Sequence, residues 1–155
     1  MANTHTKARP NESRFYYHFI KCGFYSTSTS KLYIPLAASD DMRETTSLIG
    51  MGERVVMICP FDGNLETVWV RSEEASGNTT VGFHHNVGAG SEVPGAIATS
   101  SITVALGTDD TSYEFDFASV TNTFSQGDII MFSVLPASQL GDVHFMIVLK
   151  FNVTT

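Results

Sequence analysis

The sequence lacks long apolar runs, an excess of positive charge and helical periodicity. No run in its 155 residues reaches the roughly 18 apolar residues that a membrane-spanning helix needs. The first 14 residues have no apolar core, so we expect no secretory signal. Nine Lys and Arg against 16 Asp and Glu give a net charge of −7, which argues against a general nucleic-acid binder. We therefore expect one domain made in a cytosol, with neither a membrane nor nucleic acid as partner.

Cysteine and metal-ligand patterns are equally scarce. Cys22 and Cys59 are widely spaced, so we expect two free thiols. The neighbours His84 and His85 would point to opposite faces of a strand, where they cannot chelate one ion. No zinc spacing, nucleophile elbow or phosphate-binding loop is present. We therefore expect no cofactor, no metal and no enzymatic activity. A metal-dependent cupin-like sandwich remains an alternative that would need a cluster of His and Glu on inner strands.

Strand signals, by contrast, are dense along the chain. Short apolar segments alternate with clusters of Gly, Pro, Asn, Asp and Ser, and nine of these segments are predicted strands. The predicted strands are 14–20, 31–36, 53–60, 65–71, 79–85, 100–106, 112–118, 128–135 and 143–153. The turn sequence Asp62-Gly63 between two of them predicts a hairpin.

Alternation within the segment 65–71 predicts which side chains face the core. Val68 and Val70 share the more apolar face and are expected to point inward. Leu65 and Trp69 would share the opposite face, which places Trp69 at a rim or an interface. The final segment, 143–153, is apolar on both faces, which indicates a central strand or contact with another subunit.

These segments together predict an all-β protein, a two-sheet antiparallel sandwich over residues 31–155. The jelly roll is the leading topology, because it joins about eight strands by long crossing connections. An immunoglobulin-like sandwich is the alternative. Its Cys…Trp…Cys order is missing, since Trp69 follows both cysteines.

Residues 1–30 are expected to form an extended basic arm. Residues 1–31 hold five Lys and Arg against one Glu, a net +4, whereas 32–155 hold four against 15 acids, a net −11. A basic arm on an acidic body suggests docking onto an acidic partner.

Three stretches resemble small virion proteins of marine bacteriophages, including cyanophages. They are PFDGNLETVWVRSEEASGNTTVGFHHNVG at 60–88, TSYEFDFASVTNTFSQGDIIMFSVLP at 111–136 and DVHFMIVLKF at 142–151. The closing pattern is also broadly similar to the complement globular-head and tumour necrosis factor-like jelly rolls. The resemblance covers roughly 31–153. It implies a jelly-roll homotrimer that serves as a head decoration (cement) protein, a head fibre or a fibre tip, and it supplies no catalytic residues.

The leading hypothesis is a structural virion protein of a tailed bacteriophage that stabilises the capsid exterior. Its partners would be the major capsid protein and its own copies. Basic side chains of the arm would meet an acidic capsid surface, and its aromatic side chains would anchor the contact. The predicted docking residues are Lys7, Arg9, Arg14, Tyr16, Tyr17, Phe19 and Lys21.

The alternative hypothesis is a receptor-binding or glycan-binding module of a fibre or head fibre. The same fold class serves both roles, so the fold does not decide between them. An aromatic side chain near carboxylates or amides is typical of a glycan site. The predicted ligand surface consists of Trp69, Glu73, Glu74 and Asn78.

Overall fold

A computed structural model describes residues 13–36, 55–86 and 97–154 of the chain. All of the elements with bounds in this part are β-strands, which confirms the all-β class. They are β1 (Ser13–Ser26), β2 (Leu32–Tyr33), β3 (Val56–Ile58), β4 (Gly63–Ser72), β5 (Gly77–Asn86), β6 (Ser100–Leu106), β7 (Ser112–Asp116), β8 (Thr123–Phe124), β9 (Ile129–Leu135) and β10 (Gly141–Thr154). Within these residues, no helix has the length and hydropathy to cross a bilayer.

The strands form two five-stranded sheets in which every pairing is antiparallel. Sheet A has the order β1-β10-β4-β7, and β8 also pairs with β4. Sheet B has the order β2-β9-β5-β6, and β3 also pairs with β9. The predicted two-sheet sandwich is confirmed. Successive strands often switch sheets, as in β1 to β2, β4 to β5 and β9 to β10, and this order is consistent with a jelly roll.

The core lies between the two sheets and is rich in phenylalanine. Phe83 and Phe132 enter it from sheet B, and Phe115 enters it from sheet A, all with no exposed surface. The ring centroids of Phe83 and Phe132 are 5.8 Å apart. Burial of each such side chain contributes about 1.5–3 kcal/mol, so this layer is the main stabilising contact between the sheets.

Strand β4 confirms one part of the alternation and corrects another. Val68 and Val70 are fully buried, as predicted, but Leu65 is also fully buried. The placement of Leu65 beside Trp69 on one face is therefore wrong. The register explains it: Thr67 pairs with Val148 and Leu65 pairs with Leu149, so Glu66 is an extra residue. This β-bulge shifts the alternation by one position.

The predicted hairpin at Asp62-Gly63 is also wrong. The strand before it, β3, pairs with β9 in sheet B, whereas β4 belongs to sheet A. Gly63 is instead a point of close approach. A Cβ at this position would meet the carbonyl oxygen of Lys150, and it would lie 2.9 Å from two ring carbons of Phe124. The glycine therefore allows β4, β8 and β10 to pack closely.

The structure places residues 13–26 within the sandwich, whereas the sequence assigned them to an arm outside it. Strand β1 pairs with β10 along its whole length, from Ser13 opposite Thr154 to Ser26 opposite Gly141. Ile20, Cys22 and Phe24 face the core, and none has more than 9% of its surface exposed. Their alternation with exposed residues is the reason that this segment joins the sheet. Residues 1–12 of the arm lie outside the described residues.

Candidate interaction surface on the outer face of sheet A

The outer face of sheet A is formed by the side chains that point away from the core in β1, β10, β4 and β7. The strand registers place Lys21, Met146, Trp69 and Glu114 side by side in one row across the sheet. The next row contains Gly23, His144, Arg71 and Ser112. Residues far apart in the sequence thus become neighbours on one surface.

The first half of β1 exposes aromatic side chains on both of its faces. We call Phe15, Tyr16, Tyr17 and Phe19 the aromatic edge; each has 54–55% of its surface exposed. Within the described residues, β10 is the only strand paired with β1, so β1 is an edge strand of sheet A. An edge strand presents unpaired backbone groups that can pair with another chain. The aromatic edge therefore combines apolar anchors with a strand edge to which no other strand of the described residues is paired.

The structure gathers most of the predicted docking residues on this strand. Arg14 and Lys21 are exposed at either end of the aromatic edge. Phe19 and Lys21 belong to the outer face, opposite Val148 and Met146 of β10. Strand alternation directs Arg14 and Tyr16 to the other side. Tyr17, the remaining predicted docking residue on β1, belongs to the aromatic edge. Lys7 and Arg9 lie outside the described residues.

A shallow groove crosses the outer face beyond the aromatic edge. Its volume is about 700 Å³, and no Asp or Glu lines it. Six of the residues that line the groove carry its chemistry: Lys21, Gly23, Trp69, Arg71, His144 and Met146. We call this feature the Trp69 groove. Lys21, Arg71 and His144 are exposed, whereas Trp69 and Met146 are partly buried.

Gly23 and Asp110 position the polar side of the Trp69 groove. A Cβ on Gly23 would lie 2.9 Å from His144 Nδ1 and 2.8 Å from the Val143 carbonyl oxygen. The glycine thus lets the imidazole lie directly against β1. The Arg71 guanidinium donates to the Asp110 carboxylate at 3.3 Å, and both side chains are more than half exposed. This ion pair holds Arg71 at the rim of the groove.

The predicted ligand surface is divided between the two sheets. Trp69 lines the groove on sheet A, whereas Asn78 lies on β5 of sheet B, opposite Ala105. Glu73 follows β4, and its Oε2 accepts a hydrogen bond from the Asp142 backbone N–H at 3.1 Å. The Glu74 backbone N–H donates to the Leu140 carbonyl at 3.3 Å. Both acids thus belong to a turn held by the start of β10 and the residue before it.

Arg71 and His144 are the residues of the groove that sequence reasoning missed. Neither belongs to a motif, and Lys21 was assigned to docking instead. Their proximity depends on the registers of β1, β10 and β4, which join positions separated by up to about 120 residues. The excess of basic side chains becomes visible only when these strands are placed side by side.

The paired histidines have separate structural partners. His84 is fully buried, and its Nε2 lies 2.8 Å from Ser133 Oγ. His85 Nε2 lies 2.6 Å from Asp128 Oδ2, and its ring stacks on Phe83. The two side chains thus lie on opposite faces of β5, as predicted. Among the described residues, no group of three or more His, Cys, Asp or Glu side chains could hold a metal ion.

Both cysteines are buried free thiols, as predicted. Burial raises the pKa of Cys22 to about 12. Burial also raises the pKa of Cys59 to about 12, and the negative charge of Asp128 acts in the same direction. Both side chains are therefore protonated at neutral pH, where a protonated thiol is a poor nucleophile.

Comparison with known proteins identifies no family. No protein-family model matches the sequence, and no curated protein matches it. The chain is similar to a solved structure described as a novel family of disulfide-linked pili of Bacillus endospore appendages. Identity there is 11%, the match covers 97% of this chain and 99% of the other, and the TM-score is 0.44. A family two carbohydrate esterase from Cellvibrio japonicus matches at 11% identity over 91% of this chain and 35% of its own length, with a TM-score of 0.37. Similarities at this level carry no argument about function.

Proposed function

We propose that this protein is a structural virion protein of a tailed bacteriophage, a homotrimeric cement protein that decorates and stabilises the capsid exterior. The observation that carries the proposal is the aromatic edge on β1, an edge strand that pairs only with β10 among the described residues. Four large aromatic side chains, each more than half exposed, are grouped within five residues. Such a cluster is typical of a surface that is covered by a partner.

The chemistry of β1 suits attachment to an acidic protein surface. Arg14 and Lys21 flank the aromatic edge, whereas residues 32–155 carry a net charge of −11. A partner strand or loop could pair with the backbone of β1 and bury its aromatic rings. Aromatic residues near the centre of an interface commonly dominate its binding energy. The proposed partner is the major capsid protein.

Trimerisation would multiply this contact. Three copies of β1 on one particle would bind several capsid subunits at once, so weak individual contacts become collectively tight. The bound trimer would then oppose separation of those subunits when packaged DNA pressurises the shell. Light scattering of the purified protein should give three times the mass of one chain. A monomer at micromolar concentration would contradict the trimer.

The capsid contact is tested with a double variant of the aromatic edge, Tyr17→Ser with Phe19→Ser. The assay is binding to capsids of the encoding phage assembled without this protein. We expect affinity to fall at least about tenfold, because two exposed aromatic anchors are lost.

A matched control lies on the same strand. Tyr25 is 61% exposed but lies beyond the aromatic edge, so Tyr25→Ser should bind capsids as the unchanged protein does. Thermal unfolding of each variant separates loss of binding from loss of folding. If the double variant folds and still decorates capsids fully, the proposed docking surface is wrong.

A further inference from the structure

We propose that the Trp69 groove binds an acidic carbohydrate, a sugar whose ring carries a carboxylate. The inference goes beyond capsid decoration and uses no residue of the aromatic edge. Of the predicted docking residues it shares only Lys21. It starts from two cationic side chains, Lys21 and Arg71, that line a groove of an acidic protein.

The lining of the groove departs from the composition of the chain. The whole sequence has 16 acidic and nine Lys or Arg residues. The groove is nevertheless lined by Lys21 and Arg71 and by no carboxylate. A neighbouring pocket, which also contains Arg71 and His144, is lined by Glu73, Asp110 and Asp142. Lys21 and Arg71 are the cationic groups of the groove, and a ligand carboxylate would compete with Asp110 for Arg71. A small anionic group would therefore meet two cationic side chains in this groove of an acidic protein.

The structure favours a carboxylate over a phosphate as the anionic group. Arg71 already binds one carboxylate, that of Asp110, at 3.3 Å. The planar guanidinium matches a carboxylate through parallel hydrogen bonds. Phosphate sites commonly add backbone N–H groups, as at a helix N-terminus or a glycine-rich loop. Here the floor of the groove is made of paired strands, and their backbone groups face one another in the ladder.

The rest of the lining suits a sugar ring. Trp69 and Met146 are adjacent in the same row and provide an apolar wall. The carbon-bound hydrogens of a pyranose ring can pack on an indole face, which carries partial negative charge. His144 and Ser112 provide hydrogen-bonding groups in the neighbouring row, where ring hydroxyls would lie. A volume of about 700 Å³ accommodates two or three sugar units.

The test uses Trp69 as its own reporter, because it is the only tryptophan in the chain. Trigalacturonate is titrated into the full-length protein while tryptophan emission is recorded. Maltotriose is the neutral sugar control, and citrate supplies several carboxylates without a sugar ring. We expect saturable quenching by trigalacturonate, and at least about tenfold weaker responses to the other two, which corresponds to about 1.4 kcal/mol.

Two variants link the signal to the groove. Arg71→Gln and Lys21→Gln should each weaken trigalacturonate binding at least about fivefold, because each removes a charged partner of the carboxylate. Arg14→Gln is the matched control. It removes an exposed cation from the same strand as Lys21, outside the groove, and should leave binding unchanged.

Each other outcome would overturn the inference. Equal binding of maltotriose would show a neutral sugar site, and equal binding of citrate would show attraction to charge alone. If no saturable quenching is seen, or if quenching is unchanged in both groove variants, the groove does not bind the acidic sugar. Capsid binding by the same variants is measured separately, so loss of sugar binding does not bear on the decoration proposal.

Discussion

The outer faces of the two sheets differ sharply, although both sheets contain five antiparallel strands. On sheet B, Tyr33, His84, Met131 and Ser133 point away from the central core, yet none has more than 4% of its surface exposed. On sheet A, the corresponding face exposes Tyr17 and Phe19 of β1, and part of Trp69. The centre of the outer face of sheet B, which we call the closed face, is therefore covered, although Ile58 and Leu135 at the ends of β3 and β9 are 67% and 41% exposed. The outer face of sheet A is the open face.

The contacts on sheet B explain why its face is closed. Tyr33, Val55 and Met131 form a second apolar cluster outside the main core. The Tyr33 ring lies 5.8 Å from the His84 ring, and His84 bonds to Ser133. The centre of this face thus buries its apolar side chains and pairs the polar groups of His84 and Ser133 with each other. In the part of the chain that the structure describes, Tyr17 and Phe19 belong to neither apolar cluster, so sheet A is the better candidate for an interaction surface.

The difference between the two outer faces is tested most directly by placing a charge on each of them. Met131 lies on sheet B with no exposed surface, and Met146 lies on sheet A, partly exposed. Met131→Lys should lower the free energy of unfolding by about 3–5 kcal/mol, because an unpaired ammonium would be buried. Met146→Lys should cost less than about 1 kcal/mol, since its ammonium can reach water. Urea denaturation of the two variants provides the measurement. Equal losses would mean that the two faces are equally closed.

The packing around Gly63, at the start of β4, leaves no room for a side chain, and glycine substitutions test this. Gly63→Ala should destabilise the protein by about 2–3 kcal/mol, because the new methyl group would meet the Lys150 carbonyl and the Phe124 ring. Gly107→Ala is the matched control, since nothing lies within 4 Å of its Cβ position. Thermal unfolding should separate the two variants clearly. A neutral Gly63→Ala would mean that β4 and β10 move apart easily.

The sequence predicted the class of fold because strand alternation is a local signal. The predicted inward direction of Val68 and Val70 depends only on their immediate neighbours in the sequence, and it is correct. Local signals failed where the structure departs from regular pairing. The bulge at Glu66 turns the Leu65 side chain toward the core, opposite to the predicted direction. The turn-like Asp62-Gly63 joins strands of different sheets. Register and sheet assignment depend on distant partners, which alternation does not encode.

The candidate site was harder to predict for the same reason. Composition identified the aromatic and basic residues of β1, since they are consecutive in the sequence. It did not indicate that they belong to an edge strand paired with the last strand of the chain. The Trp69 groove combines β1, β4, β7 and β10, so its charge emerges only from long-range pairing. A sequence scan assigns Arg71 and His144 to unrelated segments.

A hydrogen-bond deletion sharpens the description of the closed face. Ser133→Ala removes the hydroxyl that lies 2.8 Å from His84 Nε2. We expect a loss of about 1–2 kcal/mol, because a buried ring nitrogen loses this partner. Ser101→Ala, at an exposed position of β6 in the same sheet, should be nearly neutral and serves as the control. Chemical denaturation that gave equal midpoints for both variants would show that water reaches His84.

The smallest effect is expected at the rim of the open face. Asp110→Asn removes the charge that pairs with Arg71 and keeps the size of the side chain. Both partners are more than half exposed, so the free energy of unfolding should change by less than about 0.5 kcal/mol. Asp110 has a φ of 54°, and asparagine tolerates this left-handed conformation, so the backbone should not be strained. The Asp110 backbone bond to the Ser72 carbonyl also remains. A urea titration that showed a loss above 1 kcal/mol would make this ion pair a structural element. A neutral result leaves Arg71 available at the rim, and trigalacturonate should then bind the variant more tightly than the original protein.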